Sequence, residues 1–261
     1  MSIINAHCHI FPNHLAQKAV ESIGAFYDIP LVKQGICEDL IQEAQENNIA
    51  KVLVHSTATK PEQVTGINQF ILDSVEKHEE LIGFGTLHPH YENLEQEFQK
   101  ILQQGLKGIK IHSDFQEVNL DDPAMDVIYE LVGDQVPILF HVGDPKKDYA
   151  HPKRLKRVMD RFPALRPIAA HMGGYTVWNE ALDLFEHRQI WYDTCSSFYY
   201  LTDEKIQEII SRKGTDYILF GTDYPMWNAK EELKRLFSLG YNEETLQKIL
   251  SGNCMDLLKL R

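Results

Sequence analysis

The chain has 261 residues, 43% of them hydrophobic and 25% charged, with four cysteines. These are ordinary globular values for a chain long enough to bury a sizeable core, and they exclude disordered, collagen-like and disulfide-dense proteins. Lys plus Arg number 26 against 38 Asp plus Glu, a formal net charge of −12 without a basic stripe, which argues against nucleic-acid or anionic-membrane partners.

Short apolar runs rich in β-branched and aromatic residues alternate with segments of helical period. The pattern predicts strands near 3–9, 51–55, 81–87, 107–112, 137–142, 166–171, 189–194 and 216–222. Helices are predicted near 13–23, 38–47, 61–78, 92–104, 122–133, 152–161, 176–186 and 202–213, then 229–238 and 242–258. Pro61 and Pro123 sit where helices start, Gly105 and Gly214 where they stop. No linker or short repeat interrupts the alternation, so residues 1–261 are expected to form a single domain. Eight strands separated by helices imply a covered parallel sheet. The count favours a closed (β/α)8 TIM-like barrel over an open doubly wound sheet. Residues 10–48 make a long first connection, expected to fold over the site as a lid or pocket wall. Cys8, Cys37, Cys195 and Cys254 form no C-x-x-C pair, and neither a signal peptide nor a membrane-length apolar run is visible. A cytoplasmic protein with reduced thiols is the expectation.

Seven histidines, His7, His9, His55, His88, His112, His141 and His171, fall at strand ends, with Asp193 and Asp223 in the matching place of the last two strands. That end of a parallel α/β protein is its functional face. His7 and His9 are two apart on a strand, which puts both imidazoles on one face. With His141 and Asp223 they offer three neutral nitrogens and one anion, a set that suits a divalent metal with a position left for water. Strands 1 and 8 share a metal only if the sheet closes. Lys110 and His112 form a second pair on strand 4. Lys110 could pair with an acid, hold a substrate carboxylate or become a carbamate bridging a second metal; a buried ion pair is the leading reading. His55 and His88 read as structural. Aromatic residues in the strand-end loops, among them Phe11, Phe26, Tyr27, Phe115, Phe198, Tyr199 and Tyr200, with Trp227 just past Tyr224, fit a small, planar or partly apolar ligand. Packing of loop on barrel accounts for most of them.

His7-x-His9, His141, His171 and the run Gly221-Thr222-Asp223-Tyr224-Pro225, in this order at strand ends, resemble the amidohydrolase superfamily, and within it the amidohydrolase-related (amidohydrolase 2) family. Ile249-Leu250-Ser251-Gly252-Asn253-Cys254 resembles that family's closing helix, so the likeness runs from residue 5 to about residue 258. It implies a distorted barrel with one divalent metal on His7, His9, His141 and Asp223, zinc first, manganese or iron as alternatives, and a second metal only if Lys110 bridges. It implies catalytic roles for Asp223, moving a proton, and for His171, touching water or substrate; Lys110, His112 and Tyr224 are the expected substrate-binding residues. The main expectation is a hydrolase that cleaves an amide, ester or lactone-type bond of a small molecule through a metal-activated water. The alternative is a metal-dependent decarboxylase of a small unsaturated or aromatic carboxylic acid, and the second alternative a non-catalytic metal-binding barrel. A homodimer is the expected assembly.

Overall fold

The computed structural model describes residues 2–29, 31 and 33–260. Positions 30 and 32, within the expected lid, and positions 1 and 261 lie outside the described residues. Eight parallel strands follow one another in chain order: β1 Ile4–His9, β2 Lys51–His55, β3 Leu81–Thr86, β4 Gly108–Ile111, β5 Ile138–Phe140, β6 Pro167–Ala169, β7 Trp191–Asp193 and β8 Ile218–Leu219. The sheet closes just past β8. Ala6 N–H donates to Phe220 O at 2.7 Å, Asp223 N–H to His7 O at 3.0 Å and His9 N–H to Tyr224 O at 2.7 Å. Asn5 ties the same seam, donating through Nδ2 to Thr222 Oγ1 at 2.7 Å and accepting from Thr222 N–H at 3.0 Å. The expected (β/α)8 barrel is what forms.

The helices are α1 Asn13–Tyr27, α2 Cys37–Glu46, α3 Val64–Lys77, α4 Leu94–Gln103, α5 Ser113–Gln116, α6 Asp126–Val132, α7 Pro152–Arg161, α8 Trp178–Phe185, α9 Ser197–Tyr200, α10 Asp203–Lys213, α11 Ala229–Ser238, α12 Glu243–Gln247 and α13 Asn253–Leu258. Single turns α5 and α9 were expected as loop, because four residues carry no readable period. The expected final helix is broken by a π turn at 248–252. There Phe220 N–H donates to Ile249 O at 3.0 Å, and the Asn253 amide donates to the carbonyls of Thr215 and Ile218 at 2.7 Å each. Sheet edge and helix thus exchange hydrogen bonds, which explains both the broken helix and the two-residue length of β8.

Period-2 alternation sorts the strand residues into two apolar clusters. Val52, Val54, Ile109, Ile111, Ile138 and Phe140 pack under the helices. Ile4, Ala6, Leu53, Ile82, Leu139, Ile168 and Leu219 fill the barrel, joined by Leu257 and Leu258 of α13. Strict alternation would put Cys8 beside Ala6 in the barrel. Instead Cys8 joins the outer cluster while Ile4 and Ala6 stay inside, because the β1–β2 register shifts between Asn5 and Cys8. Such a bulge re-aims the side chains beyond it. His7 and His9 are thereby turned toward the polar residues at the strand ends. Further on, His171 (φ 60°), Ser196 (φ 55°) and Asp223 (φ 61°) are left-handed, so the chain leaves strand geometry where the site begins. Left-handed non-glycine residues cost on the order of 1 kcal/mol or more each and persist where surrounding structure holds them. Asp193 accepts from His171 N–H at 2.9 Å, and His7 O accepts from Asp223 N–H at 3.0 Å. Gly221 allows the close approach here: a Cβ on it would lie 3.0 Å from His7 Cβ, tight enough to push that histidine back by a few tenths of an ångström.

Candidate active site

Three of the four expected ligands converge. His7 Nε2, His9 Nε2 and Asp223 Oδ1 form a triangle with edges of 3.2, 3.4 and 3.3 Å. His7 reaches it because its other nitrogen is fixed: Nδ1 faces Asp193 Oδ2 at 2.7 Å. A carboxylate can only accept there, so the proton sits on Nδ1 and the Nε2 lone pair is left free. Asp223 Oδ2 accepts from Ser196 Oγ at 2.5 Å, and Trp227 Nε1–H donates to the same Ser196 oxygen at 2.8 Å.

His141 stands apart from the triangle. Its Nδ1 meets His171 Nε2 at 2.9 Å, and its Nε2 lies 3.4 Å from the Tyr27 hydroxyl and 3.9 Å from Asp114 Oδ2. The Cys195 carbonyl lies 3.3 Å from His171 Nδ1 and can only accept, so His171 Nε2 is the acceptor toward His141. That in turn places the His141 proton on Nδ1 and leaves its Nε2 lone pair free. Burial holds the imidazoles of His7, His9, His141 and His171 below their ordinary pKa. Burial pushes the Asp223 carboxyl the other way, but its imidazole neighbours, His7 foremost, outweigh it and hold it well below the carboxylate range.

The donor set fits a divalent cation. Three ligands on bonds of about 2.1 Å in a tetrahedral arrangement stand about 3.4 Å apart, close to the edges of this triangle. Neutral imidazole nitrogens and a carboxylate oxygen at such distances face one another with lone pairs, an arrangement that a cation satisfies. The Asp193–His7 contact is the outer carboxylate–histidine pairing that orients a metal-binding imidazole.

Beside the triangle lies a cavity lined by His9, Ile23, Tyr27, His112, Phe115, His141, His171, Tyr175, Ser196, Asp223, Pro225 and Met226. Among the described residues no Lys or Arg lines it. Phe115, His112 and His141 form one stack, with centroids 3.9 Å apart at each step and interplanar angles of 5° and 8°. The stack gives a flat wall. The Nε2 atoms of His112 and His141 both lie 3.4 Å from the Tyr27 hydroxyl, and with Asp114 these two histidines form a second cluster of possible ligands. Ile23 and Tyr27 bring α1, from the expected lid, into this wall.

Two residues expected to contact substrate are not among the lining residues of this cavity. Lys110 is fully buried, is not among the cavity-lining residues, and reaches only His7 Nε2, at 3.5 Å. Its ammonium lies beside the triangle, at His7 Nε2, rather than in the cavity wall. The Tyr224 hydroxyl donates to the Ile36 carbonyl at 3.3 Å and its ring stays in the core, so it fastens the 10–48 segment rather than facing a ligand. Residues not singled out as site residues also matter: Asp193, Ser196, Tyr27 and Cys195, whose Sγ lies 3.2 Å from His7 Nδ1 and 3.1 Å from His171 Nδ1. Asp193 was visible as a strand-end acid. Ser196 and Cys195 carried no such signal.

The chain is 28% identical over 125 residues to the gamma-resorcylate decarboxylase of Polaromonas sp. strain JS666, a match covering 40% of this chain and 37% of that one. It therefore spans little more than a third of the length of that curated relative. Among solved structures it resembles 5-carboxyvanillate decarboxylase from Novosphingobium aromaticivorans in complex with manganese and 4-hydroxy-3-methoxy-5-nitrobenzoic acid, with TM-score 0.80, 17% identity and coverage of 99% and 96% of the two chains. It also resembles a dihydroxybenzoic acid decarboxylase from Polaromonas sp. JS666 with bound manganese and 2-nitroresorcinol, with TM-score 0.73, 19% identity and coverage of 99% and 97%. At these identities the structural likeness establishes the fold. The expectation of a hydrolase as the main activity is corrected: these relatives are decarboxylases, in line with the alternative raised from the sequence. The family model described as Amidohydrolase matches residues 4–260, and the chain belongs to that family.

Proposed function

We propose that this chain is a divalent-metal-dependent decarboxylase of a small aromatic hydroxy acid. The observation that carries the reading is the His7–His9–Asp223 triangle at the edge of a flat, aromatic and imidazole-walled cavity that, among the described residues, no Lys or Arg lines. A substrate carboxylate entering this cavity meets no Lys or Arg among the described wall residues. The cation fitted by the triangle is then its counter-charge. The decarboxylase relatives point the same way, and two of their structures carry manganese, which is the metal to load first.

His7, His9 and Asp223 would hold the metal, with His141 turning its free Nε2 toward the substrate side. When bound, a divalent metal neutralises and orients a carboxylate. The stacked wall of Phe115, His112 and His141 would hold the ring flat, and the Tyr27 hydroxyl, kept protonated by burial, would donate to a ring substituent. Asp223 takes the proton of the substrate's hydroxyl and hands it to the ring carbon that bears the carboxylate. The carbon–carbon bond breaks, its electron pair stays with that carbon, carbon dioxide leaves and the phenolate regains a proton from solvent. Ser196, donating to Asp223 Oδ2, fixes the carboxyl during this transfer. His171 holds the tautomer of His141.

The test is carbon dioxide release by manganese-loaded protein across a panel of hydroxybenzoates, including 2,6-dihydroxybenzoate and 5-carboxyvanillate. Release from at least one acid, abolished in His9→Ala, is expected. No release from any acid by protein verified to hold metal would overturn the reading.

A further inference from the structure

His55 ends β2 and is fully buried, yet neither of its ring nitrogens has a hydrogen-bond partner among the described residues. An unpaired buried imidazole nitrogen destabilises the fold unless something satisfies it. The ring stands edge-on to both histidines of β1, with centroids 4.7 Å from His7 at 78° and 4.4 Å from His9 at 84°. One nitrogen from each of His7, His9 and His55 lies within 4.8 Å of the others. The β1–β2 register pairs His9 directly with His55, so the backbone itself fixes this approach. An apolar residue would fill the position without leaving two polar atoms unpaired.

We infer that His55 is a further ligand of the metal centre, bringing a second strand's imidazole to the cation held by His7, His9 and Asp223. The inference rests on the metal-centre reading above. Ligands on bonds of about 2.1 Å in a tetrahedral set stand about 3.4 Å apart. From the 4.8 Å bound the His55 nitrogen would close on those of His7 and His9 by up to about 1.4 Å, a ring movement that metal binding would have to draw in. Coordination satisfies one of the two orphaned nitrogens. It also accounts for an imidazole here, where the barrel filling is otherwise apolar one layer below, at Leu53. An imidazole in this position would raise affinity and add field strength on the side of the cation away from the cavity, leaving the cavity side open to a substrate carboxylate.

The experiment is manganese binding to metal-free protein, followed by the electron paramagnetic resonance of free Mn(II), with Co(II) absorption as a second readout. Wild type, His55→Gln and His9→Ala are compared, with folding checked by circular dichroism. His55→Gln is expected to weaken Mn(II) binding at least about tenfold, the scale of losses at a metal's supporting residues. The Co(II) visible bands should change in intensity. A folded His55→Gln with affinity within twofold of wild type and an unchanged Co(II) spectrum overturns the inference alone. Failure of wild type itself to bind either metal overturns this inference and the metal-centre reading together. Should His55→Gln not fold, long-range proton–nitrogen spectra of wild type decide. A large Zn(II)-induced shift of one His55 ring nitrogen supports coordination, and an unshifted His55 beside shifted His7 and His9 overturns it.

Discussion

The two halves of the barrel interior are built from the same strands by opposite rules. The lower half is apolar and regular: Ile4, Ala6, Leu53, Ile82, Leu139, Ile168 and Leu219 point inward by simple alternation. The upper half holds imidazoles and carboxylates and leaves the rule at the β1 register shift and at left-handed His171, Ser196 and Asp223. Each departure turns a polar side chain into the site that alternation would have sent elsewhere or left on the strand axis. The lower half stabilises; the upper half spends part of that stability on strained backbone and buried polar groups. Stability and chemistry are therefore separable by substitution.

Asp223→Asn should give the largest effect. It keeps the shape but removes the proton acceptor and an anionic ligand, and general acid–base groups are worth about 10²–10⁴ in rate. Turnover should fall about 10³-fold, and the metal-free protein should lose stability at neutral pH as well, because the neighbours that hold this carboxyl below its ordinary pKa favour its charged form in the fold. A variant with wild-type turnover would break the division. The mirror-image change is Leu139→Ala in the lower half, one residue along β5 from the turn to His141. It should cost about 3 kcal/mol by chemical denaturation, as buried Leu→Ala changes do. Its Mn(II) affinity should stay near wild type at temperatures where it is folded. A tenfold affinity loss there would mean the two halves are mechanically coupled.

The lower half was legible in the sequence because its signal is periodic. Leu53, Leu139 and Leu219 sit in apolar runs of strand length, and eight such runs separated by helices already favoured a barrel. His7, His9 and Asp223 were legible as strand-end residues, and their meeting followed from closure of the sheet. What alternation could not convey was the bulge between Asn5 and Cys8, which depends on pairing with β2 rather than on β1 alone. Nor could it separate Lys110 from a ligand contact: both readings need a cation on strand 4, and only the placement of its ammonium distinguishes them. Tyr224 turns from the cavity for a related reason. Its neighbour Asp223 is left-handed, and the turn sends the ring outward to Ile36 rather than into the cavity. The activity was misjudged because ligands and fold are common to hydrolases and decarboxylases, while the discriminating features are spread over loops with no period: Phe115 on α5, Ser196 ahead of α9 and Tyr27 at the end of α1.

Asp114 sharpens the contrast through pH. Burial, reinforced by Asp144, pushes its carboxyl up to about 7 from 3.8, and its Oδ2 has no hydrogen-bond partner among the described residues. A folded-state pKa above the unfolded one stabilises the fold at low pH, and that contribution is lost as pH rises from about 4 to about 7. Three pKa units correspond to about 4 kcal/mol, and relaxation of the surroundings around the charged carboxyl should reduce that to about 2 kcal/mol. Metal-free wild type should therefore lose about 2 kcal/mol between pH 4.5 and pH 8 through this group. Asp114→Asn should remove that slope, and Leu139→Ala should keep it. An unchanged slope in Asp114→Asn would assign the titration to another group of the upper half.

The smallest expected effect tests how the polar half is held in one protonation pattern. Asp193 Oδ2 accepts from His7 Nδ1, and Oδ1 accepts from His171 N–H. Asp193→Asn preserves size and can keep the second contact through its amide oxygen. Its NH₂ then faces His7 Nδ1, a donor against a donor, and the pair is relieved only if the His7 proton moves to Nε2. That proton occupies the lone pair needed in the triangle. Metal affinity should fall about 10–100-fold, the range for losing an outer partner of a metal-binding histidine. The same substitution should move stability of metal-free protein by less than about 2 kcal/mol, since the hydrogen bond is exchanged rather than lost. A second variant, Asp193→Glu, retains an accepting carboxylate and should recover part of the affinity if its longer arm reaches Nδ1. If Asn binds Mn(II) as tightly as wild type, the tautomer of His7 is not set by Asp193. The Cys195 sulfur, 3.2 Å from the same nitrogen, would then be the acceptor that keeps the proton on Nδ1.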